Sequence, residues 1–317
     1  MIEVRGLYKA YGLNLAVRGV SFQANKGEIV GLVGRNGAGK STTMNIIAGY
    51  ISSDEGNVWI NGHDILKEPL EAKRHLGYMP EFPPLYAEMT VYQYLAFVCK
   101  LMGVPKGQIA SHLKGILDQV GLEHVKDRLI GNLSEGYRQR VGIAKALCGD
   151  PENIILDEPT SGLDPQQIVE IRKVIHALGR DHTVIISSHI LKELADICTR
   201  LVIIDRGRVV ADDTMEHLIG RAESNRVLEL LVKETADLTS ALSAMEGVSD
   251  VQKRVVDAGV SHYRISLQPG KNLSESVSRA ASAAGATILL LRPVEYSLED
   301  VFFELTQKAV LEEGESK

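Results

Sequence analysis

Cysteine is scarce in this 317-residue chain: Cys99, Cys148 and Cys198 stand far apart and outside any CxxC pattern. That scarcity excludes a disulfide framework and a cysteine-bound zinc site, and leaves the three as packing residues. Long apolar runs are missing too. No stretch approaches the roughly 18 residues of a spanning helix, and the opening MIEVRGLYKAYG lacks the apolar core of a secretory signal. The expectation is a soluble chain that stays in the cytoplasm. There is no basic excess either. Net charge is −6, and neither residues 1–220 nor residues 221–317 hold more Lys and Arg than Asp and Glu, which argues against nucleic acid or anionic lipid as a partner. No internal repeat or low-complexity tract stands out. What is present is a 44% hydrophobic composition, enough for one large core and a smaller one, or two of medium size.

Up to about residue 218, short apolar strands at 28–33, 58–60, 154–156, 184–187 and 201–204 alternate with helix-like stretches, the pattern of an α/β sheet with helices packed on it. Between Thr90 and Leu147 the sequence turns almost wholly helical. VYQYLAFVCKLMGV and IASHLKGILDQVGL show apolar spacing near 3.6, so this stretch reads as a helical insertion. After His217 the chain is polar through GRAESNR and then changes pattern. VLELLV, DLTSALSAM, VSDVQKRV, YRISLQ, NLSESVSRAASAAG and TILLLRPV read as βαββαβ, the ferredoxin-like order. A last segment, SLEDVFFELTQ, places Leu298, Val301, Phe302 and Leu305 on one helical face, with Ser297 as N-cap.

The most informative run is Gly34-Arg35-Asn36-Gly37-Ala38-Gly39-Lys40-Ser41-Thr42, which follows the apolar strand at 28–33 and precedes a helix expected at 42–48. It fits G-x-x-x-x-G-K-[ST] in the strand-loop-helix setting that gives the pattern meaning. The glycines let the backbone curl so that successive N–H groups point inward. The helix N-terminus adds partial positive charge, and the loop becomes a concave anion site. Lys40 would reach the outer phosphates and the Ser41 hydroxyl would ligate Mg²⁺. Downstream, Ile154-Ile155-Leu156 is an apolar strand ending in Asp157 and Glu158. Asp157 could hold Mg²⁺, directly or through water, while Glu158 would face the γ-phosphate and orient or deprotonate the attacking water.

A phosphate loop alone does not choose among GTPases, kinases, helicases and transport ATPases. The choice comes from Leu133-Ser134-Glu135-Gly136-Tyr137, just upstream of Asp157. It resembles the LSGGQ signature of the ABC ATPases, with Glu135 and Tyr137 at the third and fifth places; read alone it is a helix cap. Ser161-Gly162-Leu163-Asp164 resembles that family's D-loop. His189, after TVIISS, resembles its switch histidine, and Tyr11 in KAYG resembles the aromatic that stacks on adenine. The resemblance covers roughly residues 1–210 and implies an α/β P-loop NTPase with a RecA-like core, a β-subdomain and a helical subdomain at about 88–148. Residues 1–220 would form this ATPase domain and 221–317 a ferredoxin-like α+β accessory domain.

The resemblance also implies two copies closing head to tail, ATP lying between the phosphate loop of one and the Ser134, Glu135 and Gly136 of the other, with Asp164 crossing between them. One departure stands out. Where the family carries a glutamine between the lobes, this chain has Glu81, in Pro80-Glu81-Phe82-Pro83-Pro84-Leu85-Tyr86. Glutamate keeps an oxygen for a hard cation but adds charge beside the phosphates. Pro80-Glu81, LSEGYRQR and the SLEDVFFELT tail look most like the type-2 exporter branch, which includes gliding-motility and drug, sodium and copper-maturation efflux ATPases.

That branch implies a peripheral subunit on the inner face of the cytoplasmic membrane, a separate multi-helix permease, and docking through residues 82–86 and the helix after Thr90; the alternative for 82–86 is a cap on the inter-lobe loop. An importer ATPase with a regulatory tail and a soluble non-transport ATPase are the competing functions. For the tail, a ligand sensor and a dimerisation brace both stand.

Overall fold

The computed structural model describes residues 1–224, 227–234, 236–257, 259–268, 271–294 and 298–315, which divide into two compact units, Met1–Met215 and Glu216–Lys317. In the first unit β1 (Ile2–Tyr11) and β2 (Asn14–Ala24) pair antiparallel. The strands read from the sequence begin only at residue 28, so this hairpin is an addition. Its alternation is disguised: the buried residues of β1 are Ile2, Val4 and Leu7, and the register shifts between Val4 and Leu7, where Gly6 takes φ +58°. A bulge breaks the two-residue period by which a strand is recognised.

Next come β3 (Ile29–Val33), α1 (Lys40–Ile47), β4 (Glu55–Ile60), β5 (His63–Asp64), α2 (Pro69–Arg74) and β6 (Leu76–Met79). The expected helix at 42–48 therefore starts earlier, at Lys40. The helical stretch resolves into α3 (Val91–Leu101), α4 (Ile109–Gln119) and α5 (Glu135–Leu147), with short 3₁₀ turns at Glu123–Val125 and Ile130–Asn132. Thr90 opens α3 through a reciprocal capping box with Gln93, and α4 buries Ile109, Leu113, Ile116 and Leu117 on one face. The unit is completed by β7 (Asn153–Leu156), α6 (Pro165–Leu178), β8 (Thr183–Ser188), α7 (Leu191–Ala195), β9 (Arg200–Asp205) and β10 (Arg208–Thr214). Cys99, Cys148 and Cys198 are free and buried.

Two sheets result. The antiparallel one runs β2-β1-β4-β5, and the other runs β10-β9-β3-β8-β7-β6, parallel throughout except for β10. The parallel strands are buried on both faces, which explains their unbroken apolar sequences. Met44, Ile46 and Ile47 of α1 share one core with Val4, Leu7 and Val17 of the antiparallel sheet and Leu32, Ile155 and Ile185 of the parallel one. Each such side chain contributes roughly 1.5–3 kcal/mol on leaving water. The loop between β3 and α1 is thereby fixed at both ends. The carboxyl ends of β3, β7, β8 and β6 lie side by side and lead into Gly34, Asp157, His189 and Pro80-Glu81 respectively, the edge where ligands gather in open α/β sheets.

A helix, α8 (Met215–Ser224), runs through residue 220, where composition changes, and the units divide at Met215. The second unit contains β11 (Val227–Lys233), α9 (Thr239–Ser243), β12 (Val248–Asp257), β13 (Val260–Leu267), α10 (Ser274–Ala283), β14 (Thr287–Val294) and α11 (Leu298–Glu315). Its antiparallel sheet has the order β12-β13-β11-β14, the ferredoxin-like arrangement, over a core that includes Leu230, Val232, Tyr263, Ile265 and Val277. In α11, Val301 is buried and Leu298, Phe302 and Leu305 are half-buried, in keeping with the expected stripe. Ser297 lies outside the described residues.

Candidate nucleotide site

The loop after β3 is built from conformations that only glycine adopts easily. Gly37 has φ +79° and Gly39 has φ +105°, and a Cβ on Gly39 would stand 2.6 Å from the Ala16 carbonyl oxygen. Gly39 is also the N-cap of α1, with no side chain to accept from the first-turn N–H groups. Those donors are left for an anion. Lys40 is buried, and its Nζ donates to the Gly34 carbonyl at 2.8 Å and the Arg35 carbonyl at 3.4 Å, 3.7 Å from Glu158 Oε1. The ammonium is thus held over the loop, where a phosphate would compete for it.

Asp157 and Glu158 stand at the tip of β7, both buried. The Ser187 hydroxyl donates to Asp157 Oδ1 at 2.5 Å, and the Ser41 hydroxyl also bonds this carboxylate. Burial nevertheless pushes the Asp157 carboxyl above its ordinary range. Glu158 has φ +47°, uncommon for a residue with a Cβ, and its N–H donates to Ser187 Oγ at 2.8 Å. A backbone held in this region costs on the order of 1 kcal/mol or more, and such strain concentrates at functional sites. His189 Nδ1 lies 2.8 Å from Glu158 Oε2, with its ring largely open to the cleft. Glu81 lines the same cleft, its carboxyl raised by burial first and then by the neighbouring Asp157 and Glu158 charges.

A cleft of about 650 Å³ brings together Tyr11, Asn36, Gly37, Ala38, Gly39, Lys40, Ser41, Thr42, Glu81, Glu158 and His189. Gly34 and Arg35 contribute their carbonyls to Lys40, and Asp157 bonds the Ser41 hydroxyl. The volume suits a nucleotide. Oxygen donors alone, from Ser41, Asp157 and Glu81, fit a hard cation such as Mg²⁺. Among the described residues no cluster of three or more His, Cys, Asp or Glu forms a metal cage. Three cleft residues were not read from the sequence: Asn14 and Ala16, hidden in the bulged hairpin, and Ser161 as a cleft residue rather than only part of a D-loop.

Ser134, Gly136 and Asp164 are elsewhere. They line a second pocket, of about 220 Å³, with Tyr137, Arg140 and Gln167. Ser134 is the N-cap of α5 with its own hydroxyl unbonded to the helix, and Asp164 caps α6 by accepting from Gln167 N–H at 2.9 Å. Glu135 pairs with Arg138 on the same helix and is not in this lining. Tyr137 is steadied by His124, whose Nε2 lies 2.9 Å from its hydroxyl. Gln139, unremarked in the sequence, is buried and its Nε2 donates to the Glu81 carbonyl at 3.5 Å, tying α5 to the Glu81 loop. The phosphate-loop residues and Ser134 and Gly136, expected on opposite sides of a head-to-tail pair, line two separate concavities in a single chain.

A family profile described as "ABC transporter" matches residues 17–161. The linearmycin resistance ATP-binding protein LnrL of Bacillus subtilis (strain 168) is 34% identical over 98% of this chain and 99% of its own length. The Nod factor export ATP-binding protein I of Burkholderia orbicola (strain AU 1054) is 31% identical over 96% of each chain. Among solved structures, an ATP-binding subunit of an ABC transporter superposes with a TM-score of 0.63 at 31% identity, covering 70% of this chain and 92% of that one.

Proposed function

The chain belongs to the ATP-binding subunits of ABC transporters, and from that premise we propose that it hydrolyses ATP in a composite site shared by two copies to drive export through a separate membrane permease. The observation that carries this reading is the separation of the two concavities: Lys40, Glu158 and His189 open onto one, Ser134 and Gly136 onto the other. Neither holds a full complement of groups for phosphoryl transfer, and a head-to-tail pair supplies both at once.

In this reading Tyr11 stacks on the adenine, and the N–H groups of residues 36–42 cradle the phosphates. Lys40 leaves the Gly34 and Arg35 carbonyls to take the β- and γ-phosphates. Glu158 accepts the proton of the attacking water, held in line by His189. Ser134 and Gly136 of the second copy donate to the γ-phosphate, and Asp164 crosses between the copies. Ser41, Asp157 and Glu81 would hold Mg²⁺, which when bound offsets phosphate charge. Residues 1–220 form the motor, with its helical subdomain at about 88–148, and residues 221–317 are an accessory domain.

No helix among the described residues is long and apolar enough to cross a membrane; in this reading a separate permease supplies the pathway for cargo. Exposed Phe82, Tyr86, Phe97 and Leu101 gather around residues 82–86 and α3, a surface of the kind that docks a permease on the inner face of the cytoplasmic membrane. Export is favoured by the names of the full-length relatives, one a resistance protein and one an export protein.

Glu158→Gln tests the core of this reading. Loss of a general base lowers kcat by about 10²–10⁴-fold, and the variant should still bind ATP and accumulate as a dimer. Turnover close to the parent chain would remove Glu158 as the base, and a cell-expressed chain that never co-purifies with a multi-helix membrane protein would remove the transport role.

A further inference from the structure

One buried carboxylate in the ATPase unit has no place in the scheme above. Glu193, on α7, is nine-tenths buried, and among the described residues no ion pair holds it. Its Oε2 accepts from the Thr160 hydroxyl at 2.5 Å and from the Ser188 hydroxyl at 3.5 Å. A buried carboxylate is costly unless hydrogen-bonded, so these contacts constrain all three side chains. Thr160 is the residue immediately before Ser161-Gly162-Leu163-Asp164, and its carbonyl accepts from Leu163 N–H at 3.3 Å. Ser188 is the residue immediately before His189, and its hydroxyl oxygen also accepts from Ile190 N–H at 3.0 Å. Glu193 therefore hydrogen-bonds the residue at the root of each loop.

The strand geometry sharpens the point. Successive residues of β8 face opposite sides of the sheet. Ser187 turns its hydroxyl to Asp157 and to the Glu158 N–H, and Ser188 turns its own to Glu193. One side of the strand end thus serves the carboxylates of the cleft. The other serves the link to the segment that ends at Asp164, in the second pocket.

We infer that Glu193 is a positioning residue that couples the loop at residues 161–164 to His189, so that the arrival of a second copy at that loop is transmitted to the histidine, which in the single chain already lies 2.8 Å from Glu158. The inference rests on the composite-site reading. It assigns Glu193 no contact with ATP, and places its effect in the chemical step and in communication between the two ATP sites rather than in nucleotide affinity.

The test compares Glu193→Ala, Glu193→Gln, Thr160→Val and Glu193→Ala/Thr160→Val for kcat, KM for ATP, Hill coefficient and melting temperature. Glu193→Ala and Thr160→Val should each lower kcat about tenfold, the scale of one hydrogen bond lost from a buried pair, with KM within about twofold and the Hill coefficient falling toward one. The double variant should be no slower than Glu193→Ala alone, since both remove the same link. Glu193→Gln keeps an acceptor oxygen and should restore most of the rate. Independent, multiplying losses would overturn the coupling, as would a normal kcat and Hill coefficient in folded Glu193→Ala. Should Glu193→Ala not fold, Thr160→Val and Glu193→Gln decide alone: a tenfold kcat loss in the first and near-parent rate in the second support the coupling, and any other pairing overturns it. A parent chain with no ATP turnover would instead sink the composite-site reading, and this inference with it.

Discussion

At the scale of single residues, function is bought against stability at Asp157. Its carboxyl is pushed up by burial, against the pull of the Ser187 and Ser41 hydroxyls. A carboxyl whose folded pKa exceeds its unfolded value costs nothing below the unfolded value. The cost grows as pH rises through the window between the two and is full above the folded value. Asp157→Asn removes it. The variant should melt higher than the parent at neutral pH, by roughly 2–4 °C for each kcal/mol recovered, and the advantage should vanish in acid, below the ordinary carboxylate range. Its Mg²⁺-dependent ATP turnover should be lost. Calorimetry across pH with a parallel ATPase assay checks both halves, and a lower melting point at neutral pH would contradict the assignment of burial as the dominant cause. The residues in this cluster could be named from the sequence because each follows an apolar strand. Ser187 and Glu193 could not be assigned roles there, since a serine in a strand and a glutamate on a short helix carry no spacing signal; only the fold sets them against Asp157 and Thr160.

At the scale of elements, the site depends on how closely strand, loop and helix approach. Gly39 combines φ +105° with a position 2.6 Å from the Ala16 carbonyl for any added Cβ. Gly39→Ala should therefore both strain the loop and push it from β2. The expected result is a melting temperature lowered by the equivalent of about 1–3 kcal/mol, with ATP affinity lost almost entirely, measured by nucleotide titration. Unchanged affinity would mean that the loop adapts without β2. The dependence on β2 was not legible in the sequence, because the bulges of β1 conceal its two-residue period. The parallel strands, buried on both faces, were legible as apolar runs, and α3 and α4 as 3.6-residue stripes. The second unit was legible as the element sequence βαββαβ, and its sheet has the order that the ferredoxin-like pattern implies.

At the scale of the molecule, the central claim is that one chain carries two halves of different sites. Lys40, Glu158 and His189 face one concavity, Ser134 and Gly136 another, and the apposition that makes a catalytic site comes from a second copy. The order of motifs along the sequence pointed to this, whereas the separation of the halves comes from the fold: the two concavities share no lining residue. The most direct test is the rate of ATP hydrolysis over a dilution series of the purified chain, with mass followed by light scattering. The account predicts a rate rising with the square of protein concentration while the chain is monomeric, becoming linear once an ATP-bound dimer is populated. A constant specific activity in a species that remains monomeric throughout would contradict it.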